Sequence, residues 1–315
     1  MRYRNSLRNG EVLEDVLLKK LAERLGLSSN VSPEEVNRAY FSSVSTGVKK
    51  VDRQTRATLD DLLFLKRVRS TRDWNRRWAS RIEEIYLNYD LVPEFEVEGS
   101  PEDIERRPQA ESLTEYVTRA VHHIRGELGL SLLDNYHPSM STKYSFEDLN
   151  YQSTDSPYNL EETFFLEERL ALVSHLTPFF SHNPNTNLIG CHKVFRRETP
   201  DKTHLCEFTQ LEIQKVASRE DPVEELKLCF LKILDALGLE TDHVEFRMTR
   251  YPYVSPGFEI YYTKEGEFLE VGGCGIMLNS LMRDDRIYLA GAIGVERCYA
   301  LSHGLKSVNK SALSL

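Results

Sequence analysis

Two neighbouring segments combine strand-like alternation with charged and amide side chains that suit a charged ligand. They are NLIGCHKVFRRE (residues 187–198) and EFTQLEIQKV (residues 207–216). Because strand side chains alternate, Arg196 and Glu198 share a face, and Gln210 and Glu212 share a face with Phe208. The other face of the second segment is apolar. A hairpin with one face in water fits the same pattern, so these segments alone leave a structural and a functional interpretation open.

Charged residues recur where two further segments should be buried. EFLEVGG contains Glu270, and AGAIGVER ends in Glu296 and Arg297 at the start of a predicted helix. Burying an isolated charge is costly, so we expect these groups and the hairpin to line one cleft. Arginines, a carboxylate able to hold Mg²⁺ and a helix start behind small residues suit a polyphosphate. A neighbouring Gln/Glu pair suits an ammonium group, and together these features indicate ATP and an amino acid.

The elements that position these residues follow an α+β order. The sequence predicts a helix over Leu113–Leu128 that ends at Gly129, and a second helix with Asp221 as N-cap, Pro222 in its first position and Gly238 just past its end. Further strands are predicted over residues 243–254, 257–266 and 267–278, and a strand that leads into a closing helix over residues 286–304. This order indicates a mostly antiparallel sheet flanked by helices.

A helical N-terminal region, residues 1–105, is predicted to precede a domain over residues 106–315. Helices are predicted over residues 11–26 and 55–88. Residues 49–81 hold eleven Lys/Arg against four Asp, although the whole chain has a net charge of −9. Such a basic cluster is typical of proteins that bind a polyanion, and a role in covering the acidic connector at residues 90–105 is the alternative. The candidate RNA contacts are Lys66, Arg67, Arg69, Arg72, Arg76 and Arg77.

Composition argues against several other classes of protein. No apolar run approaches the roughly 20 residues that span a bilayer, and the charged N-terminus has no signal-peptide core. The five cysteines are scattered, without CxxC spacing, which favours reduced thiols and disfavours a structural zinc site. We therefore expect a cytoplasmic protein that does not enter the membrane.

Six motifs in order resemble the class II aminoacyl-tRNA synthetases, and within them the alpha chain of phenylalanyl-tRNA synthetase. The hairpin resembles motif 2, GAIGVER resembles motif 3, and the predicted helix Leu113–Leu128 lies where the motif 1 helix is expected. LVSHLTPFF, RYPYVSPG and EFLEVGGCGIM resemble three further segments of that family. The resemblance extends from about residue 112 to residue 310. Pyrrolysyl- and phosphoseryl-tRNA synthetases share the same subclass core.

The resemblance implies a role for each polar residue of the predicted cleft. The catalytic residues would be Arg196 on the α-phosphate, Arg297 on the γ-phosphate and Glu270 on Mg²⁺, with ATP and Mg²⁺ as cofactors. The other ATP contacts would be Glu198, His204 and Phe208, which would stack on adenine. The amino acid would be oriented by His175, Thr177, Gln210 and Glu212. Its side-chain pocket would be lined by Tyr251, Tyr253, Val254, Ala290 and Gly291.

The sequence departs from the family at the predicted amino-acid pocket. Tyr251 and Tyr253 replace phenylalanines, and Gly291 followed by Ala292 replaces an aromatic residue followed by glycine. A pocket that hydrogen-bonds its substrate rejects analogues that lack the polar group. These changes disfavour phenylalanine as substrate and leave amino-acid activation in place.

Three functions remain open at this point. The first is a homodimeric enzyme, paired through the motif 1 helix, that activates an amino acid and transfers it to tRNA, and the basic segment favours it. The second is a synthetase-like ligase that passes the amino acid to a small molecule or protein, favoured because no segment resembles an anticodon-binding module. The third is a catalytically silent paralogue, disfavoured because the polar cleft residues are present.

Overall fold

The protein is described by a computed structural model. The residues described are 13–27, 32, 35–36, 38–39, 62, 112–152, 155–158, 162–167, 169–183, 187–264, 267–282 and 284–308. The predicted helix over residues 55–88 and the six candidate RNA contacts lie outside these ranges. The helix predicted over residues 11–26 is confirmed as α1, Leu13–Leu25.

Five further helices have both ends within the described part of the chain. They are α2 (Leu113–Leu128), α3 (Thr142–Ser145), α4 (Thr177–Ser181), α5 (Pro222–Ala236) and α6 (Val295–Ser302). Short 3₁₀ segments span Glu147–Leu149, Thr241–His243 and Asn279–Leu281.

The strands form two sheets. The strands are β1 (Ser131–Leu132), β2 (Ser139–Ser141), β3 (Phe165–Glu167), β4 (Leu170–Leu172), β5 (Leu188–Phe195), β6 (Glu207–Val216), β7 (Val244–Tyr251), β8 (Val254–Lys264), β9 (Glu267–Met277) and β10 (Tyr288–Gly294). Seven of them make the main sheet in the order β1-β5-β6-β10-β9-β8-β7, and the small sheet has the order β2-β4-β3. All pairs of the main sheet are antiparallel except β1 with β5.

Helices α2, α5 and α6 cover one face of the main sheet. Their apolar side chains join those of the strands in one buried cluster, which includes Leu211 and Ile213 of β6. The hydroxyl of Tyr116 in α2 donates a hydrogen bond of 2.6 Å to the carbonyl of Leu237, which directly follows α5. This contact ties the two helices together on the sheet. The opposite sheet face is therefore left for the polar residues of β6.

Local signals set the helix ends where the sequence predicts them. In α2, Ser112 and Glu115 form a reciprocal capping box, and Gly129 ends the helix in the left-handed conformation at φ 64°. In α5, the carboxylate of Asp221 accepts from the backbone N–H groups of Val223 and Glu224. The α+β prediction and both helices are confirmed.

Two features of the fold differ from the sequence expectation or were absent from it. Arg196 and Glu198 were placed on a strand, but β5 ends at Phe195 and both residues lie in the segment that follows. The small sheet and its short helices were not predicted, because strands of three residues show too little alternation to be recognised. Residues between these short helices and β3, among them Tyr151, nevertheless line the site described below.

The five cysteines are all free and buried. Burial raises the pKa of the Cys191, Cys274 and Cys298 thiols well above the usual value. Within the described ranges, no helix has both the length and the hydropathy to cross a bilayer.

Candidate functional site

A cavity of about 190 Å³ opens on the sheet face that α2 and α5 do not cover. Twelve of the fifteen cleft residues predicted from the sequence line it. They are His175, Thr177, Arg196, Glu198, His204, Phe208, Gln210, Glu212, Tyr251, Tyr253, Glu270 and Arg297. They come from the segment around α4, from β5–β6 and the connection between them, from β7–β9 and from α6, so the fold brings together residues more than 120 positions apart.

The floor of the cavity is made of small residues on β9 and β10. Gly272, Gly273, Ala292 and Gly294 line it. A Cβ atom at Gly273 would lie 2.3 Å from the hydroxyl oxygen of Tyr251, so only glycine leaves room for that side chain. The bare backbone lets a ligand lie close to the sheet.

Arg196 and Arg297 carry the positive charge of the cavity. Arg196 donates through Nε to the carbonyl of Ser174 at 3.2 Å, and its Cζ lies 5.4 Å from the ring centre of Phe208. Its terminal N–H groups have no protein partner among the described residues. They remain available to an anionic ligand.

Arg297 is fixed by three acceptors. Its Nη1 donates to the backbone carbonyl of Glu270 at 2.8 Å and to the Glu270 carboxylate at 3.1 Å, and its Nε donates to the carbonyl of Thr203 at 3.0 Å. The guanidinium therefore bridges β9 and the loop between β5 and β6. This loop also carries His204, which is half exposed and lies 3.0 Å from the Asp201 carboxylate.

Glu296, which precedes Arg297, is held by partners within the protein. Both of its carboxylate oxygens accept from the backbone N–H of Thr209, at 2.8 and 2.9 Å. The Lys193 ammonium lies 3.5 Å from the same carboxylate, and both side chains are buried. This contact joins the first turn of α6 to the β5–β6 hairpin, so it sets the position of Arg297 relative to Arg196.

The carboxyl group of Glu212 lines a buried part of the cavity. Its residue is 1% exposed, and burial raises the pKa of the carboxyl to about 8 although Thr177 and the backbone N–H groups of Leu176 and Thr177 hydrogen-bond to it. One oxygen, Oε2, has no hydrogen-bond partner among the described residues. Beside it, Gln210 accepts from the Leu176 N–H at 2.9 Å. A buried acceptor without a donor is costly, so this part of the cavity is suited to a ligand N–H group.

His175 provides a second acceptor without a partner. Its Nε2 lies 3.1 Å from the carbonyl oxygen of Ser145 and therefore carries the proton, while the buried Nδ1 has no partner among the described residues. Burial, with the nearby positive charge of Arg196, lowers the pKa of His175 to about 3. The ring is therefore neutral at physiological pH, and Nδ1 can accept a hydrogen bond from a ligand.

Tyrosine side chains form the wall nearest to His175. Tyr151 lies 5.4 Å from His175 and 5.7 Å from Tyr253 between ring centres. The Tyr253 hydroxyl hydrogen-bonds to Tyr151 and Thr177, and burial raises the pKa of Tyr253 to about 12. The sequence does not predict Tyr151 as a site residue, because it lies just after the short 3₁₀ segment Glu147–Leu149. An aromatic residue between polar ones carries no periodicity that would mark it.

Three predicted pocket residues do not line the cavity. Val254 and Ala290 are buried in an apolar cluster behind Tyr251 and Tyr253. The expectation for Gly291 is wrong, because it lies on the helix-covered face of β10. A Cβ atom there would lie 2.5 Å from the Cβ of Cys274. Ala292, one position along, lines the cavity, because it is paired with Glu212 and lies on the same face of the sheet.

The cavity offers few side chains that could bind a metal ion. The described ranges contain no group of three or more His, Cys, Asp or Glu residues placed to hold one. The Glu270 carboxylate lies 3.1 Å from Nη1 of Arg297, and its side chain is 42% exposed. A Mg²⁺ ion here would take one carboxylate ligand from the protein and its other ligands from phosphate oxygens and water, an arrangement common for Mg²⁺.

Comparison with known proteins adds a family match. The family model described as tRNA synthetases class II core domain (F) matches residues 100–311, about two thirds of the chain. Curated relatives include the proteins named phenylalanine–tRNA ligase alpha subunit from Synechocystis sp. (27% identical over 185 residues, 55% of this chain and 56% of that protein) and from Deinococcus radiodurans (29% over 190 residues, 52% and 56%). The chain spans about half the length of the curated relatives it matches.

Proposed function

Because the chain belongs to the family of class II tRNA synthetase core domains, we propose that it activates an amino acid with ATP and transfers the aminoacyl group to tRNA. The observation that carries this proposal is the shared cavity. It brings together two arginines and a buried carboxyl group with one acceptor atom that no described residue satisfies. This arrangement suits a polyphosphate joined to the carboxylate end of an ammonium-bearing molecule.

The amino acid binds beside Glu212. Its ammonium group donates to Oε2 of Glu212 and lies beside Gln210 and the Nδ1 acceptor of His175, which supplies donors to both unpartnered atoms. A bound ammonium also favours the ionised carboxylate of Glu212. The amino-acid carboxylate is thereby directed toward Arg196.

Adenylation then needs only positioning and charge stabilisation. A carboxylate oxygen of the amino acid attacks the α-phosphorus of ATP in line, the bond to the bridging oxygen breaks, and pyrophosphate leaves with the electron pair. The terminal N–H groups of Arg196 stabilise the charge that develops on the α-phosphate oxygens. Arg297 orients the departing phosphates, and Phe208 supports the adenine ring. Mg²⁺ near Glu270 neutralises phosphate charge when it is bound.

ATP–pyrophosphate exchange across a panel of amino acids tests this activity. Arg196→Ala should lower the exchange rate at least about 10²-fold, which is typical of the loss of one such donor. The matched control is Arg247→Ala, because Arg247 lies exposed on β7 and pairs with Glu245 outside the cavity. Equal exchange by the Arg196 and Arg247 variants would refute the assignment.

The acceptor needs a separate test. The basic segment favours tRNA, and its six candidate contacts predict binding that weakens with salt at a slope of about −0.7 to −0.9 per phosphate neutralised. Changing Lys66, Arg69 and Arg76 to Glu should abolish tRNA binding and leave adenylation intact. If the wild-type protein activates an amino acid but binds no tRNA at low salt, the acceptor is a small molecule or another protein. If the triple variant loses stability and keeps its RNA affinity, these residues cover the acidic connector.

The proposal includes a homodimer paired through α2. Leu132 in β1, four residues after the end of α2, is 40% exposed, and a second copy would cover it. Light scattering at micromolar concentration should give twice the mass of the chain. A monomeric mass would leave α2 with its packing role alone.

A further inference from the structure

The Tyr251 hydroxyl differs from the other tyrosine hydroxyls of the cavity. Tyr151 and Tyr253 hydrogen-bond to each other, and Tyr253 also to Thr177. Tyr251 lies at the end of β7 and lines the cavity, yet its hydroxyl has no hydrogen-bond partner among the described residues. Burial raises the pKa of Tyr251, so the hydroxyl stays neutral and can both donate and accept.

The sheet register places this hydroxyl on the path of the amino-acid side chain. Glu212 on β6 is paired with Ala292 on β10, and Ala292 is paired with Gly273 on β9. Tyr251 lies directly over Gly273. Two strand spacings, about 10 Å, therefore separate the backbone of Glu212 from that of Gly273. A side chain that starts from an ammonium group held at Glu212 crosses the small Ala292 and reaches the Tyr251 hydroxyl.

The charge around Tyr251 restricts what this side chain can carry. The carboxylates of Glu270 and Glu259 act on Tyr251 electrostatically. A substrate carboxylate would be repelled there, whereas a hydroxyl, amide or amine group would not. A purely apolar side chain would leave the half-enclosed hydroxyl without a partner, and an unsatisfied polar group lowers affinity.

We propose that the substrate is an amino acid whose side chain is long enough to cross Ala292 and ends in a hydroxyl, amide or amine group, and that Tyr251, seated over Gly273, selects it. This inference rests on the proposed function for the location of the ammonium group. It adds the chemical class of the substrate side chain and the residue that recognises it. Gly273 is required for this selection, because a Cβ atom at that position would displace the Tyr251 ring.

The experiment measures amino-acid binding by calorimetry and pyrophosphate exchange in parallel on the full chain. The probes are isosteric pairs: tyrosine against phenylalanine, glutamine against methionine, and lysine against norleucine, with glutamate as the anionic member. The polar member of at least one pair should bind and exchange at least about 10²-fold better than its apolar partner. Glutamate should bind worse than glutamine.

Tyr251→Phe removes one oxygen atom and should reduce that preference at least about 10-fold, mainly through weaker binding of the polar member. The matched control is Tyr261→Phe, which removes a hydroxyl that donates to Glu259 on β8 and does not line the cavity. Tyr261→Phe should keep the wild-type preference.

The two measurements separate the inference from the function on which it rests. Polar amino acids that bind and lose affinity in Tyr251→Phe, without any exchange, would support the inference and overturn the proposed adenylation. Tighter binding of the apolar members, binding of neither member of any pair, or the same preference in Tyr251→Phe as in the wild type would overturn the inference.

Discussion

Replacing Glu212 with Gln should abolish amino-acid activation and make the protein more stable at alkaline pH. Glu212 is 1% exposed, and burial raises the pKa of its carboxyl from 4.5 to about 8. A carboxyl whose folded pKa exceeds its unfolded pKa costs nothing below the unfolded value, and its cost grows as the pH rises through the folded value. Across this window of roughly 3.5 pKa units the cost reaches about 5 kcal/mol, at about 1.4 kcal/mol per unit.

Glutamine has nearly the same shape and no charge, so the variant avoids this cost. Urea unfolding of both proteins from pH 5 to pH 8.5 should show similar stability at pH 5 and an increasing advantage for Glu212→Gln above it. The variant should also lose exchange activity, because it cannot pair with the substrate ammonium. If the variant is no more stable than the wild type at pH 8.5, Glu212 is not the desolvated carboxyl that the structure indicates.

Glu225→Gln is the matched control with the opposite sign. Glu225 is also buried, and although burial opposes ionisation, hydrogen bonds from Lys215, Ser218 and the backbone lower its pKa to about 2. Its contribution to stability is present above pH 4.5 and is lost as the pH falls toward 2. The Glu225 variant should therefore be less stable than the wild type over the whole range from pH 5 to 8.5, with exchange activity retained.

Three further substitutions test the packing around the site. Gly291→Ala should destabilise the protein by about 1–3 kcal/mol, as overpacking does, because the new methyl group meets Cys274 and not the ligand. An altered substrate preference at unchanged stability would show instead that Gly291 faces the pocket. Lys193→Met should cost about 3 kcal/mol in chemical denaturation, because it leaves the buried carboxylate of Glu296 without its cation, and wild-type stability would contradict this. Ser112→Ala should cost about 1 kcal/mol through loss of the α2 cap, and thermal unfolding would show no shift if the cap contributed nothing.

The sequence predicted the fold best where a local signal coincided with the tertiary requirement. The end of α2 follows from Gly129, and the polar and apolar faces of β6 follow from strict alternation, although both faces are buried from Thr209 to Gln214. The polar cavity followed from charges at positions that a sheet should bury. Prediction failed where the local signal was ambiguous, since the small residues of β10 do not show which face is apolar. That ambiguity put Gly291 in the predicted pocket, although it lies on the other face of β10.

Tyr151 and the Lys193–Glu296 contact could not have been predicted for a different reason. Both depend on which segments meet across the sheet, and no spacing within one segment encodes that. Lys193 alternates with apolar neighbours on a strand and has the pattern of an exposed lysine, yet it is 8% exposed because α6 lies over it. Pairing between distant elements is the information that the sequence pattern lacks.

The place of β10 in the sheet has a consequence for how the site is assembled during folding. It follows every other strand in chain order, yet it lies between β6 and β9. The β5–β6 hairpin, with the residues around Arg196, and the β7–β9 meander, with Tyr251 and Glu270, can each form locally. The hairpin and the meander become one sheet only when β10 pairs with both. The pairing of β10 with β6 closes a loop of about 70 residues, and such distant contacts form late. Transient detachment of β10 would split the cavity along its floor, so a ligand that contacts both halves should slow amide hydrogen exchange in β10 more than in the outer strands.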